Sequence, residues 1–201
     1  MTKVDLKKDH RVLYGAGTTC SLVDVPEIAY LMIDGVGDPN TSAAYREAVT
    51  ALYGVAYRTK FIAKAATGTD HVVMPLEGLW WTDDMADFTQ DDKSNWKWTM
   101  LIAQPDHVMT THVASAIEEI VAKKGREGAG QVRFERWEEG RAAQVLHLGG
   151  YGDEAPTIAG LHAFIADSGF SLAGKHHEIY LNDPSRVAPE KLKTIIRQPV
   201  G

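Results

Sequence analysis

The chain has 201 residues, 44% of them hydrophobic, and carries a formal charge of −6, which fits one domain with a sizeable core and no Lys/Arg cluster dense enough for direct nucleic-acid binding. Its only cysteine, Cys20, excludes an internal disulfide and a thiolate metal cluster within one chain, as suits a reducing cytoplasm. The N-terminal MTKVDLKKDHRVLYG is charged throughout, without the apolar centre of a signal peptide, and no run of about 18 apolar residues follows it, so no membrane span is expected.

In chain order, Ile28 to Ile33 reads as a strand, and Thr41 or Ser42 can cap a helix whose Tyr45, Val49, Leu52 and Tyr53 recur at helical spacing until Gly54 ends or kinks it. HVVMPLEGLWW, from His71 to Trp81, precedes a polar turn rich in Asp. NWKWTMLIAQ, from Asn95 to Gln104, alternates around Trp96, Trp98, Met100 and Ile102 as a one-sided strand does. Val113, Ile117, Ile120 and Val121 share one face of a helix that Lys123, Lys124 and Gly125 suit as a C-terminus. Val132 to Trp137 and Ala143 to Leu148 read as two further strands. Pro156 suits a first helical turn, with Ile158, Leu161, Phe164 and Ile165 as the buried stripe and Gly169 as the stop.

At an offset of 115 residues LMIDGVGDPN, from Leu31, lies over LHLGGYGDEA, from Leu146. The pairs Leu31/Leu146, Gly35/Gly150, Gly37/Gly152 and Asp38/Asp153 are identical, and Ala48/Ala163, Gly54/Gly169 and Lys60/Lys175 extend the match without a gap. The expected fold is α+β: two pseudo-symmetric βαββ-type modules, roughly residues 20–105 and 130–201, in a single domain spanning 1–201. An antiparallel sheet would carry helices on one side and a ligand cleft between the halves.

Three stretches concentrate residues able to do chemistry. In EGLWW, Glu77, Trp80 and Trp81 fall within five positions, and adjacent tryptophans on a strand face opposite ways, one toward core and one toward a flat ligand. Two packing tryptophans are the plainer reading. In GKHHEIYLNDP, strand alternation puts Glu178 and Tyr180 on one face and His177, Ile179 and Leu181 on the other. A carboxylate beside a phenol can seat a cation or pair a general base with a donor, whereas composition favours a solvated sheet face. In HLGGYGDEAPT, His147 alternates with leucines, and Tyr151 and Glu154 sit in the glycine turn before a helix, where Glu154 also serves simply as a partner for the helix dipole. No zinc-ligand spacing, Walker loop, complete dinucleotide fingerprint or Ser/Cys nucleophile motif occurs, so neither metal nor cofactor is expected.

LHLGGYGDEAPTI followed by SGFSLAGKHHEIYLNDP resembles the second-half signature of the GyrI-like superfamily, with Gly150 where many members have proline. LMIDGVGDPNTSAAYREAVTALY, PLEGLWW and PEKLKTIIRQPV resemble its stand-alone branch, so the likeness spans essentially the whole chain. The resemblance implies paired modules around a ligand cleft, in which Glu178 is the counterpart of the acidic residue that receives lipophilic cations in multidrug-sensing members. Some stand-alone members hydrolyse the cyclopropane of cyclopropylpyrroloindole DNA alkylators without metal or cofactor. That reading gives Glu178 and Glu154 the acidic roles, Tyr180 or Tyr151 the donor role, and Trp80 or Trp81 the aromatic wall, with His147 and Glu77 among the binding residues. Non-catalytic binding of lipophilic or flat aromatic ligands is the alternative, and inhibition of a macromolecule such as DNA gyrase is a third. The expected partner is a small molecule, and the expected state a cytoplasmic monomer or homodimer.

Overall fold

The computed structural model describes residues 3–84, 93–124 and 127–201, the side chains of residues 123 and 124 excepted. Gly125 and residues 85–92 of the Asp-rich turn lie outside this description. Its elements are β1 (Lys3–Val4), α1 (Leu6–Asp9), α2 (Arg11–Tyr14), β2 (Ser21–Val36), α3 (Ala43–Thr67), β3 (Asp70–His71), β4 (Leu76–Trp81), β5 (Lys97–Gln104), α4 (Thr110–Lys124), β6 (Arg133–Leu148), α5 (Ala155–Asp167), β7 (His176–Tyr180) and β8 (Lys193–Pro199). The result is mixed helix and antiparallel sheet. No helix among the described residues is long and apolar enough to cross a membrane. The chain divides into two compact units, one of Met1–Leu6, Ile28–Met74 and Leu79–Trp137, the other of Lys7–Glu27, Pro75–Gly78 and Glu138–Gly201.

In the first unit β2, β5 and β4 lie side by side. β2 and β5 are antiparallel, with Gly35 directly opposite Trp98. A Cβ at Gly35 would stand 2.1 Å from the Trp98 ring, so only glycine leaves room for that indole. β5 is buried on both faces rather than one. The expected one-sided strand fails because Thr99, Leu101 and Ala103 are as enclosed as Trp98, Met100 and Ile102.

The Ser42 hydroxyl caps α3 by accepting from the Tyr45 N–H at 3.2 Å. Contrary to the sequence expectation, α3 continues through Gly54 to Thr67 and ends at Gly68, whose φ is 72° and whose N–H reaches the Lys64 carbonyl. One interior glycine costs only about 1 kcal/mol against alanine. Burial of Leu52, Val55 and Ala56 beside it outweighs that cost. On α4, Val113, Ala116 and Ile120 form the buried stripe, whereas Val121 is exposed, one position beyond the face.

The second unit arranges β4, β7, β8 and β6 in that order. The strands expected at 132–137 and 143–148 are one strand, β6, which passes Gly140 at a φ of 75°. A glycine at positive φ lets a strand bend and resume, so the two segments join. α5 has Pro156 in its first turn and stops before Gly169 at a φ of 80°. Its Leu161 and Ile165 pack with Ala143, Val145 and Ile196, and with the expected Ile158 and Phe164.

A buried acid pair and a buried ion network

Strand register decides which side chains meet. Across β7 and β8, His177 lies opposite Arg197, Glu178 opposite Ile196, and Tyr180 opposite Thr194. Across β6 and β8, Gln144 pairs with Arg197, Val145 with Ile196, and His147 with Thr194. One face of this sheet therefore carries Glu178, Tyr180, Ile196, Val145 and His147, and α5 covers it. The other carries His177, Arg197 and Gln144.

The first face overturns the expectation of a solvated surface: Glu178 is only 8% exposed. The His176 ring nitrogen Nε2 lies 3.0 Å from its Oε1, and the Tyr180 hydroxyl donates to its Oε2 at 2.7 Å. The carboxyl of Glu154, also buried and placed just before α5, hydrogen-bonds to it as well. Burial alone would raise the Glu178 pKa, but His176, Tyr180 and Glu154 together hold it below the ordinary value. Two carboxyl groups can share a hydrogen bond only by sharing a proton, so one member of the Glu154/Glu178 pair is neutral when the other is charged. The Tyr151 ring meets that of Tyr180 edge to face at 5.5 Å. Four of the residues singled out from sequence, Glu154, Glu178, Tyr180 and Tyr151, thus come together.

The others are placed differently. His147 bonds through Nδ1 to the Thr157 hydroxyl at 2.9 Å and through Nε2 to the Gly150 carbonyl at 3.3 Å, tying the glycine turn to α5. Trp80 belongs to the first unit, where it is 3% exposed and packs on Tyr45 and Trp96 at ring distances of 6.0 and 5.6 Å. Trp81, on the opposite face of the same strand, is half-buried.

Glu77 is fully buried at the edge of an ion network that sequence reasoning missed. Its Oε1 accepts from the Tyr14 hydroxyl at 2.9 Å, and its Oε2 lies 3.0 Å from His177 Nε2. His177 Nδ1 lies 2.9 Å from Glu139 Oε1, and Glu139 Oε2 accepts from Arg197 Nη1 at 3.1 Å. Arg197 also bonds to Gln144 and to the Leu13 carbonyl. An imidazole between two carboxylates must donate from both nitrogens, which only the imidazolium can do. Burial pushes the His177 pKa down, yet Glu139 and Glu77 outweigh it and lift it to about 9. Glu139, also enclosed, is drawn below its ordinary value by His177 and Arg197 despite burial. An available signal was Arg197 within the apolar run TIIRQPV, because a charge there must be buried with a partner. Among the described residues no group of three or more His, Cys, Asp or Glu side chains is arranged so that it could hold a metal ion.

A helix-covered antiparallel sheet with a recessed polar cluster of carboxyls and phenols is the arrangement of an α+β small-molecule-binding protein. Residues 18–200 match the family described as the GyrI-like small molecule binding domain, and the chain belongs to that family. An uncharacterized conserved protein from Listeria innocua is 37% identical with a TM-score of 0.92, over 98% of this chain and 100% of the other. A protein from the same organism described as a hydrolase is 36% identical with a TM-score of 0.90, over 100% of both chains. The C-terminal domain of EcmrR, 15% identical over 91% of this chain and 97% of its own, shares the fold at a TM-score of 0.58. No curated protein matches the sequence.

Proposed function

We propose that this protein is a cytoplasmic, cofactor-free hydrolase that adds water across the strained cyclopropane of cyclopropylpyrroloindole-type DNA-alkylating antibiotics, giving resistance to them. The observation that carries this reading is the recessed constellation of Glu178, Tyr180 and Glu154. Family membership, the hydrolase description of a 36% identical relative and the sequence resemblance to cyclopropane-opening members support it.

In the proposed reaction, water attacks the cyclopropane methylene carbon and gives a proton to the Glu178 carboxylate. The breaking carbon–carbon bond sends its electron pair through the dienone to the carbonyl oxygen, which becomes a phenol by taking a proton from a nearby donor. Glu154, Tyr180 and Tyr151 are the candidate donors, and the net change is the addition of one water. Strain relief and aromatisation drive the step. A carboxylate already ionised at neutral pH is in the state a base requires. The Tyr151/Tyr180 ring pair beside Glu178 is the proposed aromatic surface for the flat substrate, since Trp80 is committed to packing on Tyr45 and Trp96.

One observation also favours a second reading. An ionised carboxylate beside the Tyr151/Tyr180 ring pair is a seat for a lipophilic cation, and a multidrug-binding protein would use it without chemistry. Mass spectrometry of a cyclopropylpyrroloindole incubated with the protein separates the two. A hydrolase returns a product heavier by one water, and Glu178→Gln, unable to accept the proton, abolishes turnover while ligand binding persists. Ligand recovered intact at all times identifies a binder, and wild-type turnover in Glu178→Gln removes Glu178 from the mechanism.

A further inference from the structure

We infer that His176 is a positioning residue that assigns the single proton of the Glu154/Glu178 pair to Glu154, making Glu178 the base and Glu154 the acid. This deepens the hydrolase reading and rests on it for its catalytic meaning, but the proton assignment itself is a property of the free protein.

The geometry is asymmetric. His176 is 3% exposed, and its Nε2 faces Glu178 Oε1 at 3.0 Å while the Tyr180 hydroxyl occupies Oε2 at 2.7 Å. An ionised carboxylate only accepts hydrogen bonds, so an acceptor with a donor on each oxygen is stabilised in its charged form, and the pair's proton resides on the other member. Tyr180 cannot make this assignment alone, because a phenol both donates and accepts and adapts to either charge state. In this assignment the His176 ring proton lies on Nε2, and an imidazole so protonated can only donate there. Other groups beside this site are His162 from α5, His147 and Thr194 from the neighbouring strands, and Tyr151. His147 is engaged by Thr157 and Gly150. Burial and the nearby His176 both lower the His162 pKa, so His162 brings no cation to compete for Glu178.

In the reaction, Glu178 accepts the proton released by the attacking water and Glu154 delivers its own to the dienone oxygen. The pair ends with its charges exchanged, and transfer of one proton from Glu178 to Glu154 restores the starting state.

The test is a titration of the free protein carrying glutamate labelled with carbon-13 at the side-chain carboxyl, the two resonances being assigned with Glu154→Gln and Glu178→Gln. In the wild type Glu178 loses its proton first and Glu154 last. His176→Leu raises the pH at which Glu178 loses its proton by about one unit or more, the tenfold change expected when one donor to a charged group is removed. His176→Gln, whose amide N–H can replace Nε2–H, restores most of the difference. If Glu154 titrates first in the wild type, the inference is overturned whatever the variants do. It is equally overturned if His176→Leu, shown folded by circular dichroism, leaves Glu178 unmoved. Where turnover is present, the acid limb of its pH profile shifts upward in His176→Leu and returns in His176→Gln. The expected titration order with no gain of water would sustain the proton assignment and sink the hydrolase reading alone.

Discussion

The His177 network makes a quantitative claim about stability and pH. His177 ordinarily titrates at 6.5, and the folded protein raises this to about 9. The folded chain therefore holds a proton that the unfolded chain releases between those values. The stabilisation is complete below pH 6.5 and disappears as pH rises through 9. At about 1.4 kcal/mol for each pH unit, the window is worth roughly 3 kcal/mol, undiminished by solvent because the ring is fully enclosed. With a urea dependence of about 3 kcal/mol per molar, the unfolding midpoint falls by about 1 M between pH 6.5 and pH 9. Three other histidines act on the opposite side. Burial lowers His71, to about 4, as well as His107 and His162, so the unfolded chain binds protons there that the folded one refuses, and stability also falls as pH drops below 6.5. Urea unfolding followed by tryptophan fluorescence should peak near pH 6.5. His177→Gln should be weaker at that pH and lack the alkaline slope. A wild-type midpoint that is flat from pH 6.5 to 9 would refute the argument that two carboxylates keep His177 charged.

Two packing predictions follow from the first unit. Gly35→Ala forces a methyl group to within 2.1 Å of the Trp98 ring, and overpacking of this kind should cost about 1–3 kcal/mol, lowering the thermal midpoint by about 2–4 °C for each kcal/mol. An unchanged midpoint would mean that the strand and indole separate without cost. Trp80→Ala should lose about 3–5 kcal/mol of stability because the ring is almost wholly enclosed. Trp81→Ala, at a half-buried ring, should leave the melting point closer to wild type; equal effects of the two on melting would refute the difference in burial between them.

Much of the local structure was legible because it depends on groups close in sequence. Ser42 as a cap, Pro156 in a first turn and Gly169 after a helix follow from backbone conformation and short-range hydrogen bonding. So did the shared face of Glu178 and Tyr180, since strand alternation has only two outcomes. Gly54 misled because the same local rule ignores what the neighbouring turns of α3 bury. Val132–Trp137 and Ala143–Leu148 misled because a strand can absorb a glycine at positive φ without ending.

By itself, then, the sequence determined the alternation of strands and helices, the glycine turns that punctuate them and the carboxylate and phenol that share a strand face. Only the tertiary structure decided that this face is buried, that Glu154 meets Glu178 there, and that His176 bonds to its carboxylate. It alone placed Glu77, Glu139, His177 and Arg197, drawn from positions 77 to 197, into one network. The physical reason is that charge state depends on distance and enclosure. Residue type supplies the titratable group, but the register between β6, β7 and β8 sets which partners surround it and therefore which protons it keeps.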